Sequence, residues 1–494
     1  MNRTPWQRSL GRLISVLGVG VWGWVLTGPA HVQAEAGALT QLAGIEGCVS
    51  NDGSGGDCAD GSGLLGAASV AESPDGKYVY VASDISDAIV VFERDKSSGV
   101  LTQLIGTDGC VSGLGIIEGC ADGKALGGAS SVAVSPDGKY VYVASFESDA
   151  VAVFMRDSCS GALTQLARTA GCVSEDGSGG ACADGHGLDS AFAVAVSDDG
   201  EHVYVGSDSV GSGSGAVAVF ARDKISGALT QLAGTTGCVS EDGGEGTCAD
   251  GKGLLGIRTV TVSPGGKHVY VASFESDAVA VFARDKSSGA LTQLAGAAGC
   301  VSEDGSGGTC TDGTGLLGAR SATVSNDGKH VYVASFDSSG VMVFARNKNS
   351  GALTQLAGCV SFDGTGGACA DGTGLDGANS VTVSDDGEHV YATSGLSDAV
   401  TVFARDKSSG ALTQLAGTEG CVSEDGTGGT SGGVCTDGKG LDGANSVTVS
   451  KNGKHVYVAS FSSSAVAVRS SSHEATTLPR RHTSATSPRL MSYW

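Results

Sequence analysis

Aromatic side chains make up only 5% of this 494-residue chain, and proline occurs 7 times. A core so poor in rings has to be built from Val, Ala and Leu. The 81 glycines follow no three-residue period, which excludes a collagen-like rod. Positive charge is also short. Lys and Arg number 30 against 53 Asp and Glu, giving a formal charge of −23 and a pI near 4.6. Such a surface repels phosphate backbones, which argues against a nucleic-acid partner, and it attracts cations. Long apolar runs are missing as well. The longest, residues 13–26, is interrupted by glycines and falls short of the ~20 apolar residues of a membrane span.

That run follows Arg3, Arg8 and Arg12 and precedes small residues at Ala34 and Ala36, the pattern of an export signal. Residues 1–36 are therefore expected to be a cleaved signal peptide, placing the mature chain outside the cytoplasm, secreted or periplasmic. No span is expected in the mature chain, which is read as a monomer.

What the sequence has in abundance is a repeat. Seven copies carry an ALTQL-like run, a Gly/Asp loop between two cysteines, a second apolar run such as SVTVS, an Asx-Gly or Gly-Gly turn and a VYVAS-like run; a Ser-Asp-Ala turn follows in four of them and a VFARD-like run in six. Successive first cysteines lie 62, 62, 66, 62, 59 and 62 residues apart. The turn pairs supply the positive φ of tight hairpins. VYVAS is apolar on both faces, as a strand sandwiched between two sheets would be. Four antiparallel strands per repeat, repeated seven times, predict an all-β, seven-bladed propeller over residues 37–468. The orphan strand at 38–43 and the incomplete last repeat at 465–468 predict that the N-terminal strand closes the ring in the last blade. From residue 469 the composition turns to Ser, Arg and His, and 469–494 is read as a disordered tail.

Fifteen cysteines in an exported chain point to disulfides. Local pairing predicts Cys48 with Cys58, Cys110 with Cys120, Cys172 with Cys182, Cys238 with Cys248, Cys300 with Cys310, Cys359 with Cys369 and Cys421 with Cys435. Cys159 is left over. Zinc is a poor alternative, because nine residues separate the cysteines of most pairs and no His adjoins them.

The segments SPDGKYVYVAS at 73–83 and 135–145, with the V-F-x-R-D and G-x-L-T-Q-L runs that follow, resemble the lactonase-type seven-bladed propellers. That family includes 6-phosphogluconolactonase-like proteins and Tyr-Val-Thr-Asn repeat surface proteins. The resemblance implies the propeller fold and, as one activity, lactone hydrolysis by a water and an acid/base pair over the central channel. The cysteine loop in every repeat departs from the family pattern.

Strand alternation puts all seven cysteine loops and the Ser-Asp-Ala turns on one face. The loop aspartates are candidate ligands for a hard cation such as Ca²⁺: Asp52 and Asp60, Asp176 and Asp184, Asp242 and Asp250, Asp304 and Asp312, Asp363 and Asp371, Asp425 and Asp437. The competing reading is that they close Asx-turns. His202, His268, His330, His389 and His455 share one repeated position and read as structural. His186, the 114–118 loop, the 208–215 insertion, Arg258 and Arg320 break the repeat without forming a recognisable catalytic set. The reading that follows is a secreted, non-catalytic binding propeller. Its acidic loop face would engage a protein, glycan or surface ligand, with no cofactor beyond possible Ca²⁺. The alternative is a lactonase-like hydrolase.

Overall fold

A computed structural model describes residues 35–472, apart from 114, 116, 209–214, 365–368 and 430–433. The export-signal segment to residue 34 and the tail from 473 lie outside the described residues.

Seven sheets form the chain, and each is one blade. Numbered by their inner strands, the blades begin at Ala67–Glu72, Ala129–Val134, Ala191–Val196, Ile257–Val262, Ala319–Val324, Ala378–Val383 and Ala444–Val449. Each inner strand packs against those on either side, and the seventh packs against the first. The ring is closed and encloses a central channel.

Blade 4 shows the pattern. Inner strand Ile257–Val262 pairs with His268–Ser273, which pairs with the third strand, Ala278–Arg284. The outer strand comes in two pieces. Leu291–Gln293 opposes Phe282–Arg284, and Cys300–Ser302 opposes Ala278–Ala280. A short 3-10 turn at Gly296–Gly299 separates them, entered by Gly296 at φ 62°. The Cys-Val-Ser run, assigned from sequence to the loop, is thus the second half of the outer strand. Thr311–Asp312 then adds a two-residue parallel edge. The Cys300–Cys310 disulfide, with Cα atoms 4.7 Å apart, staples this edge to the blade. All seven disulfides join the expected partners, and Cys159 is free and exposed. Covering the blade edge in this way removes a template for unwanted strand pairing.

The core lies between blades. In His268–Ser273, Tyr270 and Ala272 face blade 5, where they meet Val331, Val333 and Phe344. Val269 and Val271 face blade 3, against Tyr204, Val217 and Val219. A side-chain period of two in a strand apolar on both sides is what a blade between two blades requires. Each such Val or Phe contributes about 1.5–3 kcal/mol by leaving water.

Ring closure uses a different register from the one expected. Leu39–Gln41 opposes Arg469–Ser471, and Cys48–Ser50 opposes Ala465–Ala467. The third strand of blade 7 runs Ala465–Ser471, past the point where the repeat stops matching. The split outer strand explains the shift: its first half always opposes the far end of the third strand.

On the face opposite the disulfide loops, the Arg of each VFARD run stitches two blades. Arg284 donates from Nε to the Tyr204 hydroxyl at 2.6 Å and forms an ion pair with Asp199 at 2.9 Å. Tyr204 in turn donates to the Gly289 carbonyl at 2.9 Å. In blade 7 this position is Ser471, whose hydroxyl lies 3.1 Å from that of Tyr391. Arg469 stands where the other blades have Phe, and it is completely buried. Burial holds its guanidinium well below its ordinary pKa, at about 9.

Candidate functional site

The site is built by a backbone irregularity. In every blade the pairing of inner and second strands shifts register at one residue near the disulfide-loop face, as between Ile257 and Thr259. The residue left over stands at the mouth of the channel. Around the ring these are Ala68, Ser130, Phe192, Arg258, Arg320, Asn379 and Asn445. The residue just after each second strand forms the next layer outward: Asp84, Phe146, Asp208, Phe274, Phe336, Gly395 and Phe461. Nearly all of these line one funnel of about 640 Å³, within the range of small-ligand pockets. Below it a narrower space of about 150 Å³ is lined by inner-strand residues of all seven blades.

Blades 3 to 5 carry an alternating stack of rings and guanidiniums. The Arg258 guanidinium carbon lies 4.6 Å from the Phe192 ring centre and 5.7 Å from that of Phe274. Arg320 lies 5.2 Å from Phe274 and 4.4 Å from Phe336. Such contacts orient the guanidinium planes and are worth about 0.5–2 kcal/mol each. The two arginines differ in their polar partners. Arg258 donates to Asp208 Oδ2 at 2.6 Å, a pair whose side chains are 17% and 3% exposed. Arg320 donates to the amide oxygen of Asn379 at 2.7 Å and forms no ion pair among the described residues, although the Asp337 carboxylate acts on its charge. Burial, followed by the neighbouring Arg258 charge, lowers its pKa to about 10. The Nε groups of both arginines and Oδ1 of Asp208 are buried without a hydrogen-bond partner.

Across the ring, blade 1 contributes Asp84. No hydrogen bond or ion pair to its carboxylate is found among the described residues. Its pKa is raised, first by burial and then by Glu147 and Asp87. Blade 1 stands three blades from blade 4 and three from blade 5, so Asp84 faces the Arg258–Arg320 seam.

The loop aspartates are all exposed. Five of the first set close Asx-turns. Asp52 accepts from the Ser54 amide at 2.9 Å, Asp176 from Ser178 at 2.7 Å, Asp242 from Gly244 at 2.9 Å, Asp304 from Ser306 at 2.8 Å and Asp425 from Thr427 at 2.8 Å. The second set, Asp60, Asp184, Asp250, Asp312, Asp371 and Asp437, ends the parallel edge strands. Among the described residues the acidic, His and Cys side chains close enough to share an ion are Asp199, Glu201 and His202. Arg284 already engages Asp199 and lies 2.7 Å from His202 Nδ1. His186 is exposed and away from the funnel. Its backbone is clasped by Gln231, which bonds its amide at 2.9 Å and its carbonyl at 2.7 Å. Gln293 clasps Lys252 in the next blade in the same way.

Arg258 and Arg320, which the sequence did not unite, are thus brought together. The signal was available as two columns of the repeat that vary in chemistry while their neighbours do not. The register shift that aims one column into the channel is not visible as a motif. The 209–214 part of the insertion beside Asp208 lies outside the described residues.

Residues 193–302 match the family model described as "Lactonase, 7-bladed beta-propeller". Among solved structures the chain is similar to the periplasmic gluconolactonase of Pseudomonas aeruginosa, at 18% identity over 78% of this chain and 88% of that one, TM-score 0.50. It is also similar to hydrazine synthase of Kuenenia stuttgartiensis, at 17% identity over 83% and 97%, TM-score 0.51. At these identities the likeness is one of fold. No curated protein sequence matches the chain.

Proposed function

We propose that this chain, a lactonase-type seven-bladed propeller in fold and blade motif, is an extracytoplasmic binding protein whose ligand enters the funnel on the disulfide-loop face and places an anionic group on Arg320. One observation carries the reading. A half-buried guanidinium lines an open cavity with a neutral amide oxygen as its polar partner. A charge removed from water without a direct ion pair is costly, and a bound carboxylate relieves that cost. The stacked phenylalanines offer the apolar walls that small-ligand sites use. The disulfide loops brace the rim and hold the site before the ligand arrives.

The family match favours a second reading, lactone hydrolysis at the same place. Asp84, with its raised pKa, would be the general base and Arg320 the group polarising the carbonyl. Binding is preferred because the other funnel carboxylate, Asp208, is held by Arg258 and no histidine lines the funnel among the described residues. Calcium at the loop aspartates is a separate part of the proposal, tested by titrating Ca²⁺ into the chelator-treated protein while following its melting temperature.

The test is isothermal titration with octanoate and phenylpropanoate, beside a lactone turnover assay. Arg320→Met should weaken carboxylate binding ~10-fold or more, the worth of a hydrogen bond to a charged group. Asp52→Asn with Asp60→Asn should leave binding unchanged. Equal binding by Arg320→Met would remove the reading. Turnover of a lactone, lost in Asp84→Asn, would favour the enzyme.

A further inference from the structure

We propose that the funnel is built for a zwitterion, a small amino carboxylate with an apolar body, its carboxylate on Arg320 and its ammonium on Asp84. This rests on the reading of Arg320 above and adds the second pole.

Three observations carry it. First, the funnel has two unlike walls. The side at blades 4 and 5 presents Arg258 and Arg320, and the opposite side at blade 1 presents Asp84 to the same cavity. Glu147, on the adjacent turn of blade 2, adds to the negative potential at Asp84. Second, the unpaired groups have opposite signs. Arg258 and Asp208 neutralise each other at 2.6 Å, which leaves Arg320, on whose charge Asp337 acts without forming an ion pair, and Asp84 outside any ion pair among the described residues. Asp208, 5% exposed, keeps Oδ1 without a partner at the edge of the same cavity. Third, the path to the site crosses the acidic face. The thirteen loop aspartates, the twelve named above and Asp122, are exposed on that face, and their field opposes entry of an anion. A ligand with no net charge crosses that field without repulsion, then separates its poles between Asp84 and Arg320.

The walls between the poles are apolar. Phe146, Phe336, Leu396 and Phe461 line the funnel, and Leu396 and Phe461 are 60% and 37% exposed. A polar body such as a sugar would leave these rings unmatched, so the ligand's middle is a hydrocarbon chain or ring.

The experiment titrates the wild-type protein at low salt with aminohexanoate, amino-octanoate and amino-undecanoate, each with its amine at the far end. Octanoate and octylamine are the single-pole controls. One amino carboxylate should bind at least ~10-fold tighter than either control, as expected for a second charge-assisted hydrogen bond. Asp84→Asn should erase that advantage and leave octanoate binding as tightly as before or tighter. Glu147→Gln, a change at an exposed side chain that cannot disturb the core, should reduce the advantage several-fold. If octanoate binds as tightly as every amino carboxylate, the zwitterion inference is wrong while the Arg320 reading stands. If octylamine alone binds, both are wrong. If nothing binds, the Arg320 reading fails and this inference falls with it.

Discussion

Arg258 and Asp208 stand 50 residues apart in sequence and meet at 2.6 Å, one from the bulge of blade 4 and the other from the end of a blade 3 strand. The pair ties two blades at the channel mouth and cancels one of the two guanidinium charges there. Its neighbour Arg320 forms no such ion pair among the described residues; its polar partner is the Asn379 amide. That contrast separates a structural arginine from a ligand-receiving one.

The first expectation concerns this pair. Asp208→Asn should lower stability, and a double-mutant cycle with Arg258→Met should give a coupling of about 0.5–3 kcal/mol, the range for residues in direct contact. Arg320→Met should cost less stability than Asp208→Asn, because it removes a guanidinium that forms no ion pair among the described residues and loses only its Asn379 hydrogen bond and ring contacts. Urea unfolding of the variants measures both. A large loss from Arg320→Met would assign that residue to structure.

Arg469 offers a direct gain. It fills the place of a core Phe, fully buried, and among the described residues its Nε is unpartnered and its hydrogen bonds go only to the carbonyls of Gly47, Lys439 and Val468. Arg469→Phe with Ser471→Arg rebuilds the pattern of the other blades, in which Arg284 bonds Tyr204. The double variant should be stabilised by ~1 kcal/mol or more, since replacing buried charge by fitted apolar volume often stabilises. Its melting temperature should rise above that of the parent.

The repeated histidines give a pH dependence with a definite sign. His202, His268 and His330 have lowered pKa values, first through burial and then through Arg284, Arg346 and Arg405 respectively. Each lies with Nδ1 2.7–2.9 Å from a guanidinium nitrogen. The unfolded chain therefore binds protons at these sites before the folded one does. Stability should fall as pH drops below about 6.5, the ordinary value, and go on falling until the folded pKa values are passed. Blades 1 and 2 use Tyr78 and Tyr140 at this position. The triple change of the three histidines to Tyr should flatten the acid limb of stability between pH 7 and 5, as read by chemical denaturation.

Removing one disulfide should be felt locally. Cys300→Ser with Cys310→Ser opens a short ring and should cost roughly 2–3 kcal/mol on the chain-entropy model. Hydrogen exchange should speed up at Val301–Asp312 and stay unchanged in blade 1. Exchange rising around the whole ring would show that the staple supports more than its own edge.

Much of the fold could be read from the chain because seven copies average out local ambiguity. VYVAS, apolar on both faces, implied a sheet between sheets, and Tyr270 and Val271 do face opposite blades. The local cysteine spacing gave every bridge. Two features escaped. The Cys-Val-Ser run looked like loop because a 3-10 turn divides it from Leu291–Gln293, and neither half is long enough to show alternation. The funnel escaped because its geometry comes from a one-residue register shift repeated in seven blades, which aims Arg258 and Arg320 inward without any change of pattern. The repeated aspartates stand out in the sequence, yet several of them close turns, whereas the copies differ at Arg258 and Arg320.

The most direct measurement is a crystal structure of the protein soaked with bromobenzoate, whose bromine marks the ligand by its anomalous signal. The expected result is a peak in the funnel beside Phe336 with the carboxylate on Arg320. A peak among the disulfide loops or on the opposite face, or an empty funnel at concentrations that saturate binding in solution, would contradict the account.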